Sequence, residues 1–135
     1  MIHHDYPQGS EEWLAIRKGC ITGSRFKDCR DKLKGGGPSK ACISYAMDTA
    51  RERVGGQSPQ KFQNAAMRTG TEQEPLARLA YEARTGNLVE EVGFFTTECG
   101  SFGLSPDGLI DDDGVLEIKT MVSSDTLFKA VADGD

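Results

Sequence analysis

Two hydrophobic rhythms divide the chain. Up to about residue 86, apolar side chains recur every three or four positions, the spacing of one helix face. Beyond it they come in short β-branched and aromatic runs broken by glycine, the mark of strands and turns.

The first helix is expected in GSEEWLAIR. Ser10 can cap it, Glu11 and Glu12 favour its first turn, and Trp13, Ile16 and Leu14 form its apolar side. Gly19 ends it. CITGS reads as an extended segment, Ser24 as the cap of a second helix over Arg25 to Leu33, and KGGGPSK as a loop. Ser39 would cap a third helix, in which Ile43, Ala46, Met47, Ala50 and Val54 are expected to face the core, and GGQSPQ breaks it. Proline is tolerated in the first helical turn, so Pro75 places the start of a fourth helix near Thr71. Leu76, Leu79, Ala80 and Ala83 are its expected buried stripe and Gly86 its stop.

LVEEVGFFT, SFGLSPDGLI and GVLEIKT then read as strands, with a hairpin turn at DDDG and a last helix over DTLFKAV. Helices, an antiparallel meander and a further helix make an α+β or α/β domain on a small mixed sheet.

Hydrophobic residues are 37% and charged residues 27% of the 135, a globular balance that suits one domain. No apolar run approaches a membrane span, and MIHHDYPQGSEEW lacks the regions of a secretory signal, so a cytoplasmic protein is expected. Cys20, Cys29, Cys42 and Cys99 show no CxxC spacing and read as free thiols. His3 and His4, adjacent and near the terminus, are not expected as ligands.

Net charge is −5, which by itself argues against a nucleic-acid binder. The distribution argues otherwise. Residues 17 to 40 hold eight basic and two acidic residues, a net of +6, leaving −11 for the remainder. Such a division can show a basic face to a polyanion while another region holds an acidic pocket; a solvated helix face is the alternative.

The candidate chemistry lies in SPDGLIDDDGVLEIKT, a Pro-Asp pair followed nine residues later by Glu-Ile-Lys. Strand alternation turns Leu116 and Ile118 one way and Glu117 and Lys119 the other, the latter two about 7 Å apart. The hairpin folds Asp107 back towards Glu117. Paired carboxylates repel unless a cation lies between them, and hard oxygen ligands suit Mg²⁺ or Mn²⁺. A nearby lysine can hold a water and balance an incoming phosphate, as metal-assisted phosphodiester hydrolysis requires. The competing reading is an ordinary hairpin with a charged outer face. Glu74 could add a third carboxylate, or act with Thr71 as a capping box. A calcium loop at Asp111, Asp112 and Asp113 lacks the distal Glu pattern.

Four stretches, GSEEWLAIRKGCITGS, GTEQEPLARLAYEARTG, SPDGLI and LEIKT, occur in the order of one family. The chain resembles the phage lambda exonuclease and YqaJ-like viral recombinase nucleases, a branch of the PD-(D/E)xK superfamily. That resemblance implies a PD-(D/E)xK-type core, with Asp107, Glu117 and the Ile118 carbonyl as Mg²⁺ or Mn²⁺ ligands. It implies Lys119 as the catalytic lysine, Glu74 as the helix glutamate completing the acidic site, and Arg17 and Ser24 as the grip on a DNA 5′-phosphate; Trp13 is expected to pack. It further implies 5′-to-3′ digestion of one strand of double-stranded DNA in a bacterial host, a single-strand annealing protein as partner, and in some members a trimeric ring. The family carries a long helical region after its lysine, whereas sixteen residues follow Lys119 here. One exonuclease-like domain over 1–135, lacking the family's C-terminal part, is therefore expected. A non-catalytic DNA-binding or interaction module derived from such a nuclease is the alternative.

Overall fold

The computed structural model describes residues 1–58, 64–121 and 123–134. It falls into two compact units, Met1–Gln60 with Glu91–Pro106, and Lys61–Glu90 with Asp107–Asp135.

The first unit contains β1 (Ile2–His4), α1 (Glu11–Arg17), β2 (Ile21–Thr22), a 3-10 turn (Gly23–Arg25), α2 (Phe26–Arg30), α3 (Lys40–Arg53), β3 (Phe94–Thr96) and β4 (Phe102–Leu104). Its four strands form one mixed sheet in the order β1-β3-β4-β2, antiparallel except where β2 runs parallel to β4. Phe94, the first residue of β3, is fully buried, and a Cβ on Gly103 of β4 would stand 2.2 Å from its ring. Glycine is needed there because the end of the ring fills the space a Cβ would take. β1, which sequence patterning did not reveal, is pinned by His3 stacked on Phe95 at 4.4 Å and His4 hydrogen-bonded to Thr96 at 3.0 Å.

Ser10 caps α1, its hydroxyl accepting the Trp13 N–H, and Gly19 follows the helix at φ +77°. Ser39 caps α3 through the Cys42 N–H. Ser24 does not cap the second helix. It lies inside the 3-10 turn, its hydroxyl 3.3 Å from that of Thr22, and α2 ends at Arg30 instead of reaching Leu33.

The expected buried stripe of α3 points outward: Ile43, Met47 and Val54 are exposed, as are Ala46 and Ala50. Polar anchors set the helix rotation. The Tyr45 hydroxyl accepts the Thr22 N–H at 2.9 Å, Glu52 accepts the Gly19 N–H at 2.8 Å, and Arg53 donates to the Gly19 carbonyl at 2.8 Å. These lie on the face opposite the apolar stripe. Of the GGQSPQ break, residues 59 and 60 lie outside the described residues; α3 closes before it, at Arg53.

The second unit holds α4 (Ala65–Thr85), the antiparallel hairpin β5 (Gly108–Ile110) and β6 (Gly114–Leu116), and α5 (Ser124–Asp133). α4 begins before Thr71. Asn64 caps it by accepting the Met67 N–H at 2.8 Å, and Pro75 sits in its interior. The Thr71 hydroxyl bonds back to the Met67 carbonyl, so no capping box forms with Glu74. A cap contributes about 1 kcal/mol and an internal proline costs about 3, so the Asn64 cap marks where the helix starts but does not by itself offset Pro75. Gly86 ends the helix at φ 77°.

Leu76, Leu79, Ala80 and Ala83 are likewise exposed, and the row Glu74, Arg78 and Glu82 turns inward. Arg78 binds the Asp107 carbonyl, and Glu82 accepts the Val89 N–H at 2.7 Å. The hairpin turn at Asp111–Asp113 forms as expected, with Asp111 at φ 51°. Glu90 pairs with Leu109 through reciprocal 2.9 Å bonds, making β5 the middle of a short three-stranded patch. Among the described residues, no helix is long and apolar enough to cross a membrane.

Candidate functional site

Asp107, Glu117 and Lys119 gather at the open end of the β5–β6 hairpin, while Glu74 stands on α4. The hairpin's register pairs Gly108 with Leu116 and Ile110 with Gly114, which brings Asp107 and Glu117 to the next pair of positions. Ladder pairing ends there. The Asp107 N–H bonds to the Leu116 carbonyl at 3.1 Å, and the Asp107 carboxylate, rather than a carbonyl, accepts the Ile118 N–H at 2.6 Å. Asp107 thus ties the two motif halves together with its own side chain.

Gly108 explains the glycine after the Pro-Asp pair. A Cβ there would meet Val89 Cγ1 at 2.2 Å, so the strand that presents Asp107 packs closely on the strand-like segment at Val89–Glu90.

Arg78, which sequence reasoning did not single out, is the buried centre of the arrangement. Its Nε and Nη2 reach the Asp107 carbonyl at 3.3 and 3.1 Å, and Nη2 also pairs with Glu74 at 2.8 Å. A fork of planar donors suits this double task. The available signal was the i, i+4 spacing of Glu74 and Arg78, which makes them helix neighbours. Glu74 and Asp107 are therefore linked through one guanidinium.

Glu117 and Lys119 lie just past β6, both exposed, and form an ion pair with each other. The hydrogen bond to Glu117 raises the Lys119 pKa, assisted by the charges of Glu117 and Asp107 and opposed by partial burial. Lys119 is therefore an ammonium at any physiological pH: a donor and a positive charge, not a base.

Two carboxylates and the Ile118 carbonyl form the hard-oxygen donor set that Mg²⁺ or Mn²⁺ takes. Among the described residues, however, no group of three His, Cys, Asp or Glu stands close enough to hold a metal ion. Carboxylates repel one another, and each takes its own donor here: Glu74 the Arg78 guanidinium, Glu117 the Lys119 ammonium, Asp107 the Ile118 amide. The hairpin pair fits a hard cation by chemistry and register; Glu74 is engaged by Arg78.

In the first unit, Arg17 ends α1 with its guanidinium carbon 4.0 Å from the Trp13 ring centroid and 5.7 Å from that of Phe94. Burial lowers its pKa, with Tyr45, Cys20 and Glu52 opposing. It forms no ion pair among the described residues. Held by aromatic faces, its donors are free for an outside anion. Trp13 packs as expected, its indole N–H donating to Ser105 Oγ at 2.9 Å. Ser24 lies in the turn after β2 and makes no hydrogen bond with Arg17.

Solved structures share this fold. Over 93% of its length the chain matches the crystal structure of LHK-Exo in complex with dAMP, at 37% identity and a TM-score of 0.79. A second crystal structure, of an alkaline exonuclease (LHK-Exo) from Laribacter hongkongensis, matches at 37% identity and a TM-score of 0.77. The chain spans 60% of the length of each of those proteins. No curated protein matches. The model of the YqaJ-like viral recombinase domain matches residues 12–134, nearly the whole chain, and the chain belongs to that family.

Proposed function

We propose that the chain carries the catalytic hairpin of a metal-dependent DNA exonuclease, which hydrolyses phosphodiester bonds at the ends of linear double-stranded DNA. The observation that carries this reading is the Asp107–Ile118 bond, which sets Asp107 beside Glu117 and Lys119 at one end of the hairpin. Asp107, Glu117 and the Ile118 carbonyl would hold Mg²⁺ or Mn²⁺. When bound, the ion would supply Lewis-acid polarisation of the phosphoryl group and a more acidic water.

The chain's own residues do the rest. Lys119, kept protonated, donates to the attacking water and offsets phosphate charge. Arg78 fixes the Asp107 backbone, so the carboxylate keeps its aim. Arg17 offers a rigid two-pronged donor to a terminal phosphate. A 5′-to-3′ direction, a phage-type recombination role with a single-strand annealing partner, and a trimeric ring extend the proposal through the family likeness.

A second reading, a DNA-binding module without catalysis, is favoured by one observation: Glu74 is engaged by Arg78 and Glu117 by Lys119. Digestion of a linear duplex separates the two. Mg²⁺-dependent loss of the strand, abolished by EDTA and by Lys119→Met, supports the exonuclease. A well-folded chain that binds the duplex but leaves it intact overturns it.

A further inference from the structure

Apart from Arg17 and Lys18, the lysines and arginines of the first unit fall into two groups. Arg25 is held by Asp28 and Asp48, Arg51 by Asp48, and Arg53 by the Gly19 carbonyl. Lys27, Arg30, Lys32, Lys34 and Lys40 are exposed and form no ion pair among the described residues.

These five cluster on and beside one small finger. Lys32 and Pro38 form a bridge, Leu33 N–H donates to the Gly37 carbonyl at 2.8 Å, and Ser39 N–H donates to the Asp31 carbonyl at 3.2 Å. Gly36, at φ +87°, closes the tip. The loop is therefore held in shape before anything binds it, with Lys32 and Lys34 on its outgoing arm. Its return arm runs into the Ser39 cap of α3, whose first turn carries Lys40 and no acidic residue. A lysine at that helix end is the wrong sign for the folded chain, because the helix dipole is already positive there.

Like charges gathered without partners repel and lower stability unless an anion neutralises them. In a chain of net charge −5, a solvated basic face needs no such concentration. We propose that this finger is a second, non-catalytic grip on the phosphate backbone of duplex DNA, a proposal that rests on the DNA-acting reading above. A repeating polyanion fits because the cations are spread along the finger rather than focused on one point, and because they are lysine-rich point charges that track a backbone without reading bases.

The test is binding of the chain to a 30-base-pair duplex in EDTA, where no cleavage occurs, across a range of salt. The variant R30Q/K32Q/K34Q is compared with R68Q/R84Q/K129Q, which removes equal charge elsewhere. Each lost phosphate contact flattens the slope of log K against log salt by about 0.9. The finger variant is expected to bind roughly 10- to 100-fold more weakly, with a slope shallower by about 2 to 3, while the control matches the wild type. Equal slopes for the two variants overturn the proposal, as does a wild-type chain that ignores the duplex and binds phosphatidylserine vesicles through the finger. Cleavage is scored separately with Mg²⁺: a wild type that binds through the finger and never cuts removes the exonuclease reading and leaves this one standing.

Discussion

The carboxylate of Asp107 accepts the backbone N–H of Ile118 at 2.6 Å, so the acidic side chain of one strand holds its neighbour where the ladder stops. Asp107 therefore serves both structure and chemistry, and substitutions can separate the two. Asp107→Asn keeps an oxygen for the amide; Asp107→Ala leaves the amide unsatisfied. Urea unfolding is expected to show Ala costing about 1–2 kcal/mol and Asn under ~0.5, with duplex digestion lost in both. Equal stability of the two variants would remove the structural role.

Arg78 is a positioning residue in the exonuclease reading. Arg78→Lys retains a charge for Glu74 but cannot fork to the Asp107 carbonyl as well. Arg78→Met strands a half-buried carboxylate and is expected to cost ~2 kcal/mol or more. The Lys variant should fold nearly as well as the wild type yet need several-fold more Mg²⁺ for half-maximal digestion. An unchanged Mg²⁺ requirement would mean that Arg78 only stabilises.

The Glu117–Lys119 pair has a definite pH signature. Its lysine pKa is raised above 10.5, so the pair's contribution is full below that value and is lost as pH climbs through the higher folded one. Both side chains are exposed, so the contribution is small. A double-mutant cycle with Glu117→Gln and Lys119→Met should give a coupling below ~1 kcal/mol at neutral pH, lost as the pH climbs through the raised lysine pKa. In the exonuclease reading, no fall in cleavage rate below about pH 10 should trace to Lys119; a limb near neutrality abolished by Lys119→Arg would contradict its standing charge.

Arg17→Lys preserves the charge but loses the planar fork and its stacking on Trp13. The preference for 5′-phosphorylated over unphosphorylated ends is expected to fall about tenfold, one bidentate contact's worth. Equal loss on both kinds of end would assign Arg17 to general DNA binding.

Two glycines should respond unequally. Gly103→Ala drives a Cβ to 2.2 Å from the buried Phe94 ring, which has no room to yield, and should cost about 2–3 kcal/mol. Gly108→Ala meets Val89 Cγ1, the end of a side chain that can rotate, and should cost about 1 kcal/mol or less. Thermal melts of both variants check the contrast.

Much of the architecture was legible. Ser10, Ser39 and Gly86 marked helix ends because caps act locally, and DDDG marked its turn for the same reason. The rotations of α3 and α4 were not legible. Periodicity says which residues share a face, not which face turns inward. Here Tyr45, Glu52, Arg78 and Glu82 decide it through bonds to distant backbone groups that no local pattern records. At the site, strand alternation placed Asp107 near Glu117, but it could not show that Glu74 would turn to Arg78, since the i, i+4 spacing allows that pairing without requiring it. Pro75 misplaced the start of α4, because a proline disfavours a helix interior without forbidding it, and Asn64 caps the helix further upstream.

Pro75 has no N–H to give the Thr71 carbonyl, so one rung of the α4 ladder is missing and marks a weaker joint between a first rod and a second. Glu74 is the last residue of the first rod and Arg78 belongs to the second, so their ion pair straddles the joint as a splint. Flexing of the helix is thereby damped where its second rod carries the hairpin's anchor, and whatever loosens that splint loosens the aim of Asp107 with it.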